Sequence, residues 1–326
     1  MRFVIYGAGG IGGTVGARLF RAGYDVLLIA RGDHLQAIQR DGLHFVTPSL
    51  DETLQIPAVG GPAQAHLRDG DVVLLSMKTQ HTESALRDLA AAVPAAIGDT
   101  LPVICCQNGV ANERMALRRF QNVYAMVVYL PAEHLQPGEV VTFGEGAGGI
   151  LDAGRYPSGV DATITQVTAA LAHAGFSAEP DPAVMRQKYG KLVTNLGNAL
   201  QAAAGDSPDD LRRLMREEAV ACYAAAGIDS TGAEEARVRR ERGIVVSDVP
   251  GFERHGGSSL QSVLRGTGDI EADYLNGEIV QLGRLHGVRT PANRVMQQAA
   301  NEIVRDGLSV GAISADTLRQ RIAQAT

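Results

Sequence analysis

The opening stretch of the chain, through Arg31, constrains the fold most. An apolar run, Phe3-Val4-Ile5-Tyr6, leads into Gly7-Ala8-Gly9-Gly10-Ile11-Gly12; a helical pattern follows, and a second apolar run, Val26-Leu27-Leu28-Ile29, ends at Ala30-Arg31. Strand, glycine turn, helix and strand in that order make the opening unit of a dinucleotide-binding sheet. Gly7 permits the tight turn, Gly9 lets the backbone approach a pyrophosphate, and Gly12 lets the helix pack close to the strand. Gly7, Ala8, Gly9, Gly10, Ile11 and Gly12 are therefore the expected diphosphate cradle, with the nucleotide on the N-terminus of the following helix.

The residue closing the second strand meets the adenosine ribose and is commonly acidic where the free 2′-hydroxyl of NAD is bound. Here Ala30-Arg31 stands in that place. A guanidinium suits a 2′-phosphate through charge-assisted bonding, so NADP(H) is the expected dinucleotide and Arg31 its ligand; the alternative for Arg31 is a solvated loop cation.

A chain of 326 residues, 45% hydrophobic and 20% charged, is long enough for two domains with real cores. The net charge of −6 gives no global basic field, which disfavours nucleic acid as a partner. Three cysteines, two of them adjacent at Cys105-Cys106 in a strand-like run, make neither a disulfide framework nor a metal cluster, and a reducing cytoplasm fits. The N-terminal apolar stretch is too short and glycine-rich for a secretory signal, and no uninterrupted apolar run reaches membrane-spanning length.

The first half alternates short β-branched runs with helical patterns, which predicts a parallel, doubly wound sheet of Rossmann type. Asp71 to Ser76 and Val103 to Cys106 read as buried strands, the first followed by Lys78 in a loop and the second running into Gln107-Asn108-Gly109, a turn where ligands of such sheets bind. Val123 to Leu130, Glu139 to Phe143 and Gly149 to Leu151 read as further strands extending that sheet with antiparallel pairs, followed by a helix at about Val160 to Ala174 and a short strand at Phe176 to Glu179. From Ala183 the periodicity is almost wholly helical: one long segment to Ala204, then Pro208 to Ala226, a polar helix from Thr231 to Arg242, Asp269 to His286 and Ala292 to Asp306. The expected organisation is an α/β dinucleotide-binding domain over residues 1–180 and an all-α substrate domain over 181–326.

In the helix beginning at Ala183, Asn195 falls about 40° and Asn198 about 20° from Lys191 around the axis, with Lys188 on the same face. An amine and two carboxamides together suggest a polar wall of a binding cleft; a solvated helix face is the plainer reading. Gly256-Gly257-Ser258-Ser259 forms a hydroxyl-bearing loop or helix start able to hold a carboxylate. Glu271 is either a favourable charge at a helix N-terminus or a partner for Lys191 or a substrate hydroxyl. His34, His66, His81 and His134 lack metal-ligand spacing and read as surface or loop histidines. Arg237 to Arg242 is a basic run on a polar helix, read as a solvated face or an oligomer contact.

Taken in order, Gly7-x-Gly9-x-x-Gly12, Ser76-Met77-Lys78-Thr79, Cys106-Gln107-Asn108-Gly109, Lys191-Leu192-Val193-Thr194-Asn195, Ser258-Ser259, Ile270 to Gly277 and Gly287 to Asn293 resemble the ketopantoate reductase (2-dehydropantoate 2-reductase) family over nearly the whole chain. The resemblance implies NADPH as reductant and reduction of a 2-keto acid, foremost 2-dehydropantoate to pantoate in pantothenate biosynthesis. It implies Lys191 as the catalytic lysine on the keto oxygen and Glu271 as its acidic partner, close to substrate and cofactor. Asn195 and Ser259 match substrate-contacting positions, Arg31, Lys78 and Asn108 match cofactor-side positions, and Asn108 also serves substrate. The family's second asparagine usually stands four residues past Asn195, where this chain has Ala199 with Asn198 beside it, and Tyr189 stands where a tryptophan is frequent. Competing readings are a dehydrogenase of another 2-keto acid or of an imine, and a catalytically silent NADP(H) sensor. A homodimer is compatible with the sequence, which assigns it no interface.

Overall fold

A computed structural model describes residues 1–264, 266 and 268–325. The chain divides into two compact units, the first Met1–Gln187 with Ala233–Arg254, the second Lys188–Gly232 with the chain from His255 onward.

In the first unit β1 (Arg2–Tyr6), α1 (Gly10–Arg21), β2 (Asp25–Ile29), α2 (Gly32–Asp41), β3 (Leu43–Thr47), β4 (Leu50–Leu54), β5 (Ala58–Val59), β6 (Asp71–Leu75), α3 (Thr82–Ala92), β7 (Val103–Cys105), α4 (Asn112–Leu117) and β8 (Val123–Met126) follow in order. β9 (Ala132–Glu133), β10 (Glu139–Thr142), β11 (Gly144–Glu145), β12 (Ala153–Arg155) and α5 (Ala162–His173) complete the run. The main sheet has the order β12-β8-β7-β6-β1-β2-β5. All its pairings are parallel except β12 with β8. Phe3, Val4 and Ile5 have no exposed surface, as expected of a central parallel strand covered on both faces. The chain steps from β1 outward to β2 and then crosses back to β6, so the switch point of the sheet lies at the C-terminal ends of β1 and β6, just before Gly7 and Ser76.

Helix α1 is unusually rich in glycine, and close packing on two sides explains it. A Cβ on Gly12 would lie within 2.2 Å of the Gly7 carbonyl oxygen, one on Gly16 within 2.7 Å of Leu28, and one on Gly13 within 2.6 Å of Val140. The helix is thus held between the main sheet and a second, four-stranded sheet of order β4-β3-β10-β9. That second sheet corrects the sequence reading. Glu139 to Thr142 pairs with β3 rather than extending the main sheet, and the hairpin of β3 and β4 was not foreseen. Gly149 to Leu151 and Phe176 to Glu179 contribute isolated bridges, Ile150 to Tyr129 and to Ser177, rather than strands.

The remaining helices are α6 (Val184–Asn195), α7 (Gly197–Ala204), α8 (Asp209–Ala226), α9 (Ala233–Gly243), α10 (Ser258–Leu264), α11 (Asn276–His286), α12 (Pro291–Arg305) and α13 (Ala315–Ala325), with the short strand β13 (Val245–Val246) after α9. Among its described residues the second unit is entirely helical. Unit division falls inside α6, between Gln187 and Lys188, rather than at residue 180. The segment 233–254, read from sequence as part of the helical domain, belongs to the first unit. Arg239 of α9 clasps Asp152 and Ser177, β13 pairs with β11, and Val249 packs with Val46, Val141 and Phe143. Helix α9 carries no apolar face to announce a partner, so polar contacts distant in sequence decide where it goes.

Two long helices of the sequence reading are interrupted. The Ala183 to Ala204 segment breaks at Leu196, whose carbonyl accepts a hydrogen bond from the buried amide of Asn276 at 3.2 Å. The Asp269 to His286 segment opens as a single 3₁₀ turn, Glu271–Tyr274, and restarts as α11 after Leu275.

Candidate active site

The glycine loop is closed behind and open in front. Gly7 sits at φ +107°, a conformation that favours glycine, and a Cβ there would lie 2.7 Å from the Met77 nitrogen. The Gly7 and Ala8 N–H groups both donate to the Ile29 carbonyl, at 3.0 and 3.2 Å, and the Ser76 hydroxyl donates to the Gly7 carbonyl at 2.9 Å. Those bonds fasten the loop to the ends of β2 and β6. At Gly9, by contrast, a Cβ would meet only the His134 ring at 4.0 Å. Helix α1 starts there with no acidic residue in its first turn, so its leading amides and the positive end of its dipole favour negative charge nearby.

Two more loops come off the same end of the sheet. Arg31 is exposed where β2 gives way to α2, with its guanidinium 3.4 Å from Nε2 of His81. Lys78 opens the turn Thr79–His81 after β6, so Arg31 and Lys78 lie on neighbouring loops. Asn108 follows β7. Its position and that of Lys78 are set by four buried side chains: Gln107 donates to the Met77 carbonyl and to the Thr82 hydroxyl, each at 2.8 Å; Thr82 donates to Asn112 at 2.8 Å; and Asn112 donates to Thr79 and to the Asn108 carbonyl. The sequence reading named Lys78 and Asn108 but missed this brace, because Thr82 and Asn112 carry no signal of their own.

It also misjudged His34. The imidazole is tied down on both sides, Nε2 to the Ala8 carbonyl at 2.7 Å and Nδ1 to the Gly138 N–H at 2.8 Å, and its ring lies 4.0 Å from that of His134. Burial holds its pKa below the ordinary 6.5.

In the second unit, Lys191 and Asn195 stand one turn apart on α6, with Lys188, only 3% exposed, one turn earlier. Ser259 lies on α10 and Glu271 opens the 3₁₀ turn; both are buried. Among the described residues, the Ser259 hydroxyl and the Asn195 amide nitrogen are buried without a hydrogen-bond partner. Buried polar groups left in this state cost about 1–3 kcal/mol each, and both of these are donors. Asn198 lies past the break at Leu196. On α7 its carboxamide oxygen lies 2.8 Å from where a Gly257 Cβ would stand, and Gln201 accepts the Gly257 N–H at 3.1 Å, so α7 braces the loop that leads into α10. The side chain of Ser258 lies outside the described residues. Among those residues no cluster of His, Cys, Asp or Glu suits a metal ion, the three cysteines are buried free thiols, and no helix is long and apolar enough to cross a membrane.

Residues 3–153 match the family model described as ketopantoate reductase PanE/ApbA, and residues 179–304 match its C-terminal model. The chain belongs to the ketopantoate reductase family. The family is one of nicotinamide-dependent oxidoreductases, and both the doubly wound sheet and the helical unit accord with it. A PanE/ApbA family ketopantoate reductase from Ralstonia eutropha JMP134 superposes with a TM-score of 0.78 at 31% identity, over 94% of this chain and 99% of that one. The 2-dehydropantoate 2-reductase of Halobacterium salinarum is 26% identical over 94% of this chain and all of its own length, and that of Archaeoglobus fulgidus 28% identical over 90% and 95%. A D-mandelate dehydrogenase solved with NADH and anilino(oxo)acetate shares the fold at TM-score 0.78 and 22% identity, over 94% of this chain and 99% of its own.

Proposed function

We propose that this ketopantoate reductase family member is an NADPH-dependent 2-keto acid reductase, with 2-dehydropantoate as the first substrate to test. The observation that carries the reading is that Ser259 Oγ and Asn195 Nδ2, on the motifs that match substrate-contacting positions, are two of the orphaned buried donors in the unit that holds Lys191 and Glu271. Two donors without acceptors suit a carboxylate.

The first unit fits a dinucleotide. Gly9 leaves room above the loop, the first-turn amides of α1 suit a diphosphate, and Arg31 with Lys78 offers positive charge where a 2′-phosphate would be read. NADPH bound by these groups would supply the hydride that reduces the C2 carbonyl. The chain's own contribution is electrostatic. The Lys191 ammonium donates to the keto oxygen, stabilises the negative charge that grows there and supplies or relays the proton. Ser259 and Asn195 hold the carboxylate, Asn108 steadies both ligands, and Glu271 accepts from a substrate hydroxyl.

The test is NADPH oxidation with 2-dehydropantoate against unbranched 2-keto acids, with NADH as the comparison cofactor. Lys191→Ala is expected to lose on the order of a hundred- to thousandfold in turnover. Near-normal turnover in that variant would remove the lysine's role, and no turnover on any keto acid would defeat the reading. A second reading, a reductase of a different 2-keto acid, rests on Asn198, which stands one position from the family's usual asparagine and lies against Gly257. Faster turnover of an unbranched keto acid would select it.

A further inference from the structure

We propose that His34 is a positioning residue of the dinucleotide site, fixing the direction of the Gly9 amide through the Ala8 carbonyl. The Ala8 carbonyl and the Gly9 N–H belong to one planar trans peptide and point opposite ways, so whatever holds the oxygen aims the N–H. The Ala8 N–H is already engaged with Ile29, and the next residue is a glycine with an open face. Rotation of the Ala8–Gly9 peptide is therefore opposed chiefly by what grips its oxygen, and His34 Nε2 does so at 2.7 Å.

The imidazole is itself held in one tautomer. Nδ1 accepts the Gly138 N–H at 2.8 Å, which requires that nitrogen to be unprotonated and leaves the proton on Nε2, facing Ala8. The turn that supplies this N–H has holding contacts of its own. Gly138 has φ +78°, a Cβ there would lie 2.8 Å from the Ala37 Cβ on α2, and His134 donates from Nδ1 to the Glu139 carbonyl at 3.0 Å while its ring covers that of His34. His34 thus transmits the position of a turn between β9 and β10 to the glycine loop between β1 and α1. It contacts no reacting atom, so its effect belongs in cofactor affinity rather than in the rate of the saturated enzyme.

This inference rests on the dinucleotide reading, and direct binding separates the two. NADPH affinity of wild type, His34→Ala, His34→Asn and His34→Gln is measured by fluorescence titration at about pH 8, where histidine is neutral, with melting temperatures reporting that each variant folds. The Gln amide nitrogen reaches the place of Nε2 and keeps the bond to Ala8, whereas the shorter Asn reaches only the place of Nδ1. His34→Ala and His34→Asn are expected to weaken NADPH about tenfold, His34→Gln to recover most of that loss, and kcat at saturating NADPH to change less than about threefold in all. A folded His34→Ala variant with wild-type affinity, or equal affinities for the Asn and Gln variants, overturns the proposal. If His34→Ala does not fold, the comparison of Asn with Gln decides alone. Wild type that binds no dinucleotide overturns the underlying reading instead.

Discussion

On the proposed function, Arg31 is the residue that reads the cofactor's 2′-phosphate. Its guanidinium is exposed, with the His81 ring beside it, so removing it disturbs little else. Arg31→Ala is expected to raise the dissociation constant for NADPH about ten- to hundredfold, the worth of a charge-assisted bond, while leaving NADH nearly unchanged; equal losses for both would assign Arg31 another role. Glu271→Ala should penalise 2-dehydropantoate more than a keto acid lacking its hydroxyl, as steady-state kcat/KM on the two would show. His34 also links stability to pH. Its folded pKa lies below 6.5, so as pH falls through that value the unfolded chain takes up a proton that the folded chain resists, and stability declines toward the folded pKa. Burial opposes a proton on His44 too, but bonds to Asp51 and Glu139 outweigh it and raise the pKa, so His44 contributes stability below 6.5 that is lost as pH rises through its folded value. The melting-temperature advantage of wild type over His34→Gln is therefore expected to shrink between about pH 7.5 and 5. The tight turn at Gly7 and the close packing at Gly12 could be read from sequence because their meaning is local. His34 could not, since its two partners lie 26 and 104 residues away.

Among the elements, α12 shows how a family motif can be scaffold rather than chemistry. The Glu218 carboxylate on α8 accepts the Ala292 and Asn293 N–H groups at 2.7 and 2.9 Å, capping α12, and Asn293 in turn accepts from Asn276, which also holds the Leu196 carbonyl where α6 gives way to α7. One buried network therefore joins the helix of Lys191 and Asn195 to α8, α11 and α12. Glu218→Ala strands two backbone donors and is expected to cost about 1–3 kcal/mol, read as a lower melting temperature by calorimetry. The helices themselves were legible in their periodicity. Their interruptions were not, because the Leu196 carbonyl finds Asn276 80 residues away and no local pattern marks the break.

At the scale of the whole molecule, the first unit is assembled from two stretches of sequence. Composition and period located the change from sheet to helix near residue 180 but could not show that 233–254 returns, since α9 is polar on every side. The return is secured by Arg239, whose guanidinium binds Asp152, a carboxylate only 2% exposed. Arg239→Met is expected to destabilise the first unit toward the lower end of the ~3–5 kcal/mol seen for broken buried pairs, and to open 233–254 to limited proteolysis before other segments are cut. Protection equal to wild type would show that β13 and Val249 suffice.

The same return sets an order of events during synthesis. A nascent chain that has left the ribosome only through residue 187 already contains Val46, Val141 and Phe143, but not Val249, which packs with them, or Phe252 beside it. That apolar patch stays wet until the intervening helices have also emerged, so the first unit, although its strands are made earliest, cannot finish folding first.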